Sequence, residues 1–268
     1  MKVQQVIDTI LDRFGGIKFE HTCDQLMSGS FDTEVTGIAT TFMATVDVIN
    51  QAIERGANFI ITHEPTYYTG RDTTDWLNND PVYEQKKKLL DDHGIAIWRF
   101  HDHMHAAPTD LIYDGLMKEI GWEPYLVKDQ KFPYCYQIPE MSLKQLSAMF
   151  KEKLNMDVIQ IVGSPDTRCR RVGILVGGGS LGLGTEEMPM ILMREQNLDV
   201  LVCGDIIEWT LCPYVRDAAA LGMNKAMIVL GHERSEEAGM KYMAEWLTPM
   251  LSSIPVHFVD TKEPFIYL

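Results

Sequence analysis

Short apolar runs alternate with helix-patterned segments, and the same alternation occurs twice along the chain. That pattern leaves few architectures open. In the first half Val35–Phe42 reads as a strand and Val46–Arg55 as a helix closed by Gly56. Ala57–Thr62 reads as a buried strand, Tyr83–His93 as a charged helix before Gly94, and Ile95–Phe100 as a third strand. A β-α-β-α-β series of this kind predicts an α/β fold with a mostly parallel sheet covered on both faces.

The second half repeats the order. Arg171–Val176 is a strand, followed by a glycine-rich loop at 177–184 and a helix at Glu186–Gln196. Asp199–Cys203 is a buried strand, Pro213–Leu221 a helix, Lys225–Leu230 a strand, Ser235–Leu251 a long helix and Val256–Val259 a last strand. GIATTF lies over VGILVG, NFIITHE over DVLVCGD, and AIWRFHDH over AMIVLGHE. The expected organisation is therefore two pseudo-duplicated β-α-β-α-β halves packed around a shared metal cleft, 1–126 and 171–268. A smaller α+β insertion, 127–170, carries Pro133, Pro139 and Pro165, a helix at Ser142–Leu154 and a strand at Asp157–Val162. At the front of the chain Val3, Val6, Ile7, Ile10, Leu11 and Phe14 share one helical face, closed by Gly15 and Gly16.

Composition narrows the class. The formal net charge is −14, and an acidic chain repels phosphate backbones, so no nucleic-acid partner is expected. The five cysteines are odd in number and never spaced Cys-x-x-Cys, which argues against a disulfide framework and against a thiolate zinc site. Asp8 and Asp12 interrupt any signal-peptide core, and no apolar run reaches membrane-spanning length. The expectation is a cytoplasmic protein with no membrane partner.

Chemistry concentrates at strand ends, where open α/β sheets bind ligands. Five of the eight histidines fall there. His63 and Glu64 follow the strand ANFIIT. The segment FHDHMHA sets His101, His103 and His105 in alternation, so that extended backbone would point all three one way and Asp102 the other. His232 follows the strand at 225–230, and Glu236 comes four residues later. Imidazole and carboxylate donors suit zinc, iron or manganese. His101 can instead orient a true ligand, and His21, His93 and His257 fall outside the pattern. The loop VGGGSLGLG lacks a Walker ending and does not reproduce a dinucleotide fingerprint, so it reads as a close-approach loop near the cleft.

The string VTGIATTFMATVDVINQAIERGANFIITHEP (35–65) resembles the Nif-three-like family of dinuclear metal proteins, whose members many genomes label GTP cyclohydrolase I type 2. The family has a strand, a helix ending in Glu/Asp-Lys/Arg-Gly-Ala, and a strand ending in His-His-Pro. The string LVCGDIIEWTLCPYVRDAAALGMNKAMIVLGHERSEEAGMKYMAEWL (201–247) resembles its second signature, a Gly-Asp strand end followed by Gly-His-x-x-Ser-Glu. The resemblance implies that His63, Glu64, His105, His232 and Glu236 hold two divalent metal ions, and Glu236 is expected between them because a carboxylate can bridge two ions. Glu64 stands where the family has His, and His105 where it has Asp, so three imidazoles and two acids are kept. Trp209 stands where a His is common, and Asp205 and Glu208 are nearby candidates. A ring-shaped homo-oligomer, often a hexamer, is also implied. The leading expectation is a metal-dependent hydrolase acting on a small-molecule substrate, with His103 or Asp102 moving the proton. The alternative is a non-catalytic metal-handling or scaffold protein.

Overall fold

The protein is described by a computed structural model covering residues 1–15, 19–128, 132–251 and 253–268. Gly16, expected to help close the first helix, lies outside the described residues. The chain forms two compact units, residues 1–115 with 239–262 and residues 116–238 with 263–268. It is a mixed α/β fold, and among the described residues its strands make two five-stranded sheets.

The first unit opens with α1 (Val3–Arg13), then β1 (Leu26–Ser28), β2 (Ile38–Thr41), α2 (Val46–Glu54), β3 (Phe59–Thr62), α3 (Pro81–Asp92), β4 (Ala96–Arg99) and the short α4 (Asp102–Ala106). The helix α5 (Leu111–Ile120) follows. Strands β2, β3 and β4 lie parallel in chain order, with Ile38 opposite Phe59 and Phe59 opposite Ala96. Every residue of these three strands is buried, as expected of a parallel sheet covered on both faces. Helix α2 starts where the Thr45 hydroxyl accepts the Val48 amide. It buries Val48, Ile49 and Ala52 in the cluster that holds Ala39, Ile60 and Ile97. Full burial of a side chain such as Ile49 contributes about 1.5–3 kcal/mol. On α1, Val3, Val6, Ile7 and Ile10 are buried, and the Phe14 ring meets Phe100 and Trp246 at 5.1 and 5.2 Å.

The second unit contains β5 (Cys135–Ser142), α6 (Leu143–Lys153), β6 (Gln160–Val162), β7 (Arg168–Leu175), α7 (Met188–Glu195), β8 (Val200–Cys203), α8 (Leu211–Ala220) and β9 (Ala226–Val229). Helix α9 (His232–Leu247) begins in this unit, and the chain returns to the first unit for β10 (Val256–Phe258). Strands β7, β8 and β9 are again parallel in chain order, with Val172 opposite Val200 and Val200 opposite Ala226. Leu192, Met193, Leu211 and Val215 of α7 and α8 share a buried cluster with Leu175, Leu201 and Met227 of the strands.

The internal duplication is visible in the topology. In each sheet the third parallel strand carries a short antiparallel neighbour, β1 beside β4 and β6 beside β9. The opposite edges differ: β10 runs parallel to β2, whereas β5 runs antiparallel to β7. Segment 127–170 supplies both edge strands of the second sheet. Strand β5 has no clear sequence signal because Pro139 interrupts it. An edge strand tolerates that proline, and the pairing is irregular between Gln137 and Met141.

All five cysteines are free thiols. Burial pushes the Cys203 thiol up, and the Cys169 thiol up to about 12, as for small core residues. Among the described residues no helix is long and apolar enough to cross a membrane.

Candidate metal centre

In the first unit the strand ends deliver three histidines to one place. His63 follows β3, His101 precedes α4, and His105 lies one turn into α4. One ring nitrogen from each falls within 4.8 Å of the others. The His63 and His105 Nε2 atoms are 3.1 Å apart, and the His63 and His101 rings stack at 4.5 Å. Glu64 is adjacent, its Oε1 3.7 Å from His101 Nε2.

The backbone here is not the extended run that the alternation suggested. Asp102–Ala106 is helical, with His101 as its N-cap. Asp24, from a distant loop, accepts the amides of His101, Asp102 and His103 at 2.7, 2.8 and 3.0 Å. A buried carboxylate satisfying three amides at a helix start fixes the helical conformation. Helical spacing then places His101 and His105, four residues apart, on one face and turns His103 to the other. His103 Nδ1 pairs with Asp24 Oδ2 at 2.6 Å, and its ring packs edge-on against Phe19. His103 therefore stands apart from the triad.

Each clustered histidine is oriented through Nδ1. His63 Nδ1 meets the Phe100 carbonyl at 3.3 Å, His101 Nδ1 meets Asp102 at 3.0 Å, and His105 Nδ1 meets Asp110 at 2.9 Å. Those oxygens only accept, so Nδ1 carries the proton and Nε2 presents the lone pair. This is the arrangement by which carboxylates and carbonyls orient metal-ligating imidazoles. Asp110 is itself fixed by accepting the Ile112 amide at 2.9 Å.

The Asp102 carboxyl is partly desolvated, which raises its pKa. Hydrogen bonds from the Cys23 amide, His101, Thr22 and the Cys23 thiol outweigh this and hold it well below the usual carboxylate range. Cys23, His101 and Asp102 form a second candidate group. Burial, with the nearby carboxylates, pushes the Cys23 thiol up to about 12 despite Arg99. The histidine triad differs in having every imidazole oriented through Nδ1.

The second unit repeats the device. Helix α9 starts at His232, so His232 and Glu236 are four residues apart on one face, and His232 Nε2 is 3.2 Å from Glu236 Oε2. His232 Nδ1 pairs with Asp205 Oδ2 at 2.7 Å, the orienting contact again. The glycine-rich loop builds this corner. The Asp205 amide donates to the Gly177 carbonyl at 2.8 Å, and Ser180 donates to the Asp205 carbonyl. The Gly177 amide donates to Ser235 Oγ at 2.9 Å. Gly177 has φ +49°, and a Cβ there would fall 2.0 Å from Glu236 Oε1 and 2.7 Å from His232 Nε2.

Trp209 is 76% exposed. A recess of about 680 Å³ in the first unit, bordered by Ser28, Arg71, Asp75 and Tyr83, includes none of the clustered histidines. Asp24, Asp110 and Arg99 are absent from the residues the sequence singled out. Asp24 is far from the helix it caps, whereas Asp110, two and three residues before the amides it accepts, carried a readable capping signal.

Strand-end imidazoles, each oriented through Nδ1 and grouped with carboxylates, define an α/β protein whose donor chemistry fits divalent transition metals. The family model described as Duf34/NIF3 (NGG1p interacting factor 3) matches residues 1–264, and the chain belongs to that family. A curated relative from Clostridium acetobutylicum, named GTP cyclohydrolase 1 type 2 homolog, is 25% identical and aligns over 96% of this chain and 93% of its own. Among solved structures, a Staphylococcus aureus hypothetical protein superposes with TM-score 0.75 at 22% identity, covering 100% of this chain and 99% of the other. A Bacillus cereus protein related to NIF3 superposes with TM-score 0.76 at 15% identity, with the same coverage. At these identities the two structures establish the fold.

Proposed function

We propose that this chain holds two divalent ions and is a metal-dependent hydrolase of a small-molecule substrate. One ion is assigned to His63, His101 and His105 with Glu64 beside them, the other to His232 and Glu236. The observation that supports this reading most is the shared orientation of four imidazoles. Each has Nδ1 on a carbonyl or carboxylate oxygen, at 2.7 to 3.3 Å, and so presents Nε2 as a donor. The relatives' name, GTP cyclohydrolase 1 type 2 homolog, fits the same reaction class.

When bound, such an ion supplies Lewis acidity and makes water a nucleophile at neutral pH. The chain's own groups do the rest. Asp102, Asp110 and Asp205 hold the imidazoles in one tautomer. Asp102, with its carboxyl held ionised, serves as an orienting anion. His103, oriented by Asp24 and turned to the opposite face of α4 from the triad, is proposed to exchange protons between the site and solvent rather than to act at the triad itself.

Elemental analysis after zinc loading and desalting is expected to give about two ions per chain, and His105→Ala about one fewer. Protein that takes up no metal from zinc, manganese or ferrous iron would defeat the proposal.

We also propose a homo-oligomer, a hexamer by family resemblance. Light scattering behind gel filtration is expected to report a multiple of the 30.5 kDa chain. A clean monomer at micromolar concentration would rule this out.

A further inference from the structure

Arg99 is the one charged residue of strand β4, behind Ala96, Ile97 and Trp98, and it is only 4% exposed. A charge buried at the end of an apolar strand is costly unless its donors are met. Three groups meet them. Arg99 Nε donates to the His63 carbonyl at 3.4 Å, Nη1 to the Gly70 carbonyl at 2.8 Å, and Nη2 to Glu64 Oε2 at 3.5 Å. The guanidinium therefore grips the backbone of one clustered histidine and the side chain of the carboxylate beside it. Through Gly70 it also holds the loop that leaves them.

The two oxygens of Glu64 face different partners. Oε2 is turned to Arg99, while Oε1 is turned to the triad, 3.7 Å from His101 Nε2. The Glu64 side chain is 12% exposed, so the pairing is poorly screened by water. An unrestrained carboxylate can chelate a hard cation with both oxygens. A carboxylate with one oxygen on a guanidinium offers the other alone, with part of its charge already balanced.

We propose that Arg99 is a positioning residue that fixes Glu64 as a one-oxygen donor toward the His63, His101 and His105 set, and thereby favours zinc over manganese there. The inference rests on the metal-binding reading above and extends it from which residues bind to what selects the ion. Monodentate acid with imidazole suits zinc's low coordination number, and oxygen-rich, bidentate surroundings suit manganese.

The experiment measures zinc and manganese affinities by chelator competition for the full chain and for Arg99→Met, Arg99→Lys, Glu64→Gln and Glu64→Gln/Arg99→Met. Circular dichroism verifies the fold of each. Arg99→Met is expected to weaken zinc about 10–100-fold and manganese less, lowering the zinc-to-manganese ratio. In the Glu64→Gln background the same substitution is expected to move that ratio less than about twofold, because coupled residues are not additive.

Arg99→Lys keeps the charge and most of the stem but not the fork, so the ratio is expected to fall there too. That variant decides the matter if Arg99→Met does not fold. An equal loss for both metals, an unchanged ratio in Arg99→Lys, or the same shift with and without Glu64 would overturn the proposal. His105→Ala separates the two levels of the argument. Undiminished zinc binding in His105→Ala, or no zinc binding by the unsubstituted chain, removes the metal reading itself. Zinc binding that depends on His105 but a ratio indifferent to Arg99 removes only the positioning role.

Discussion

Asp24→Ala is expected to lower stability by about 2–4 kcal/mol and to strip the ion from the His63, His101 and His105 set. The Asp24 side chain is only 2% exposed and accepts three helix-start amides besides His103 Nδ1. Removing it leaves those donors buried and unmatched, which costs more than the bonds themselves contribute. Without the cap, residues 101–105 lose the helical turn that puts His101 and His105 on one face. Asp24→Asn keeps an acceptor oxygen but loses the charge, so it is expected to fall between the two. Urea unfolding and zinc competition on the three proteins test this together. Native stability and native zinc affinity in Asp24→Ala would show that the turn is held by something else.

Gly177→Ala is expected to weaken metal binding at His232 and Glu236 by at least about tenfold, with a destabilisation of about 1–3 kcal/mol. The cause is doubled. A positive φ of +49° disfavours any side chain, and the new methyl would occupy the space of the Glu236 carboxylate and His232 Nε2. Glu236 and His232 meet the methyl with the ends of their side chains, so the donors yield before the backbone does. The loss should therefore be read mainly in affinity. Gly178→Ala is the control, since a Cβ there meets nothing within 4 Å. Equal affinities for the two variants, measured by chelator competition, would contradict the cradle.

The parallel core strands were legible because each is a short apolar run between helices, and β3, FIIT, needs nothing else to be recognised. The paired strand ends were legible for the same reason: His63 follows such a run directly, and His232 follows one after Leu230 and Gly231. Four features were hidden. Strand β1 is three residues long and only partly buried, so it carries no periodicity. Strand β5 is masked by Pro139. The conformation of FHDHMHA was misread because alternation at period two and a shared face at spacing four are both satisfied by His101 and His105. The carboxylate that decides between them is Asp24, which no local pattern connects to it. Arg99 was hidden because one charge at a strand end looks like an ordinary exposed terminus until its burial is known.

The return of residues 239–262 to the first unit orders events during synthesis. Strand β10 pairs with β2, and the Thr40 hydroxyl donates to the Met240 carbonyl across 200 residues of chain. While a ribosome is still making the second unit, β2 is an open strand edge, with unpaired backbone groups able to recruit another nascent chain. Contacts this distant in sequence also close late and slowly. The first half can therefore carry every residue of its histidine cluster and still lack the strand that seals its sheet. Its exposure to misassembly lasts until β10 has left the exit tunnel.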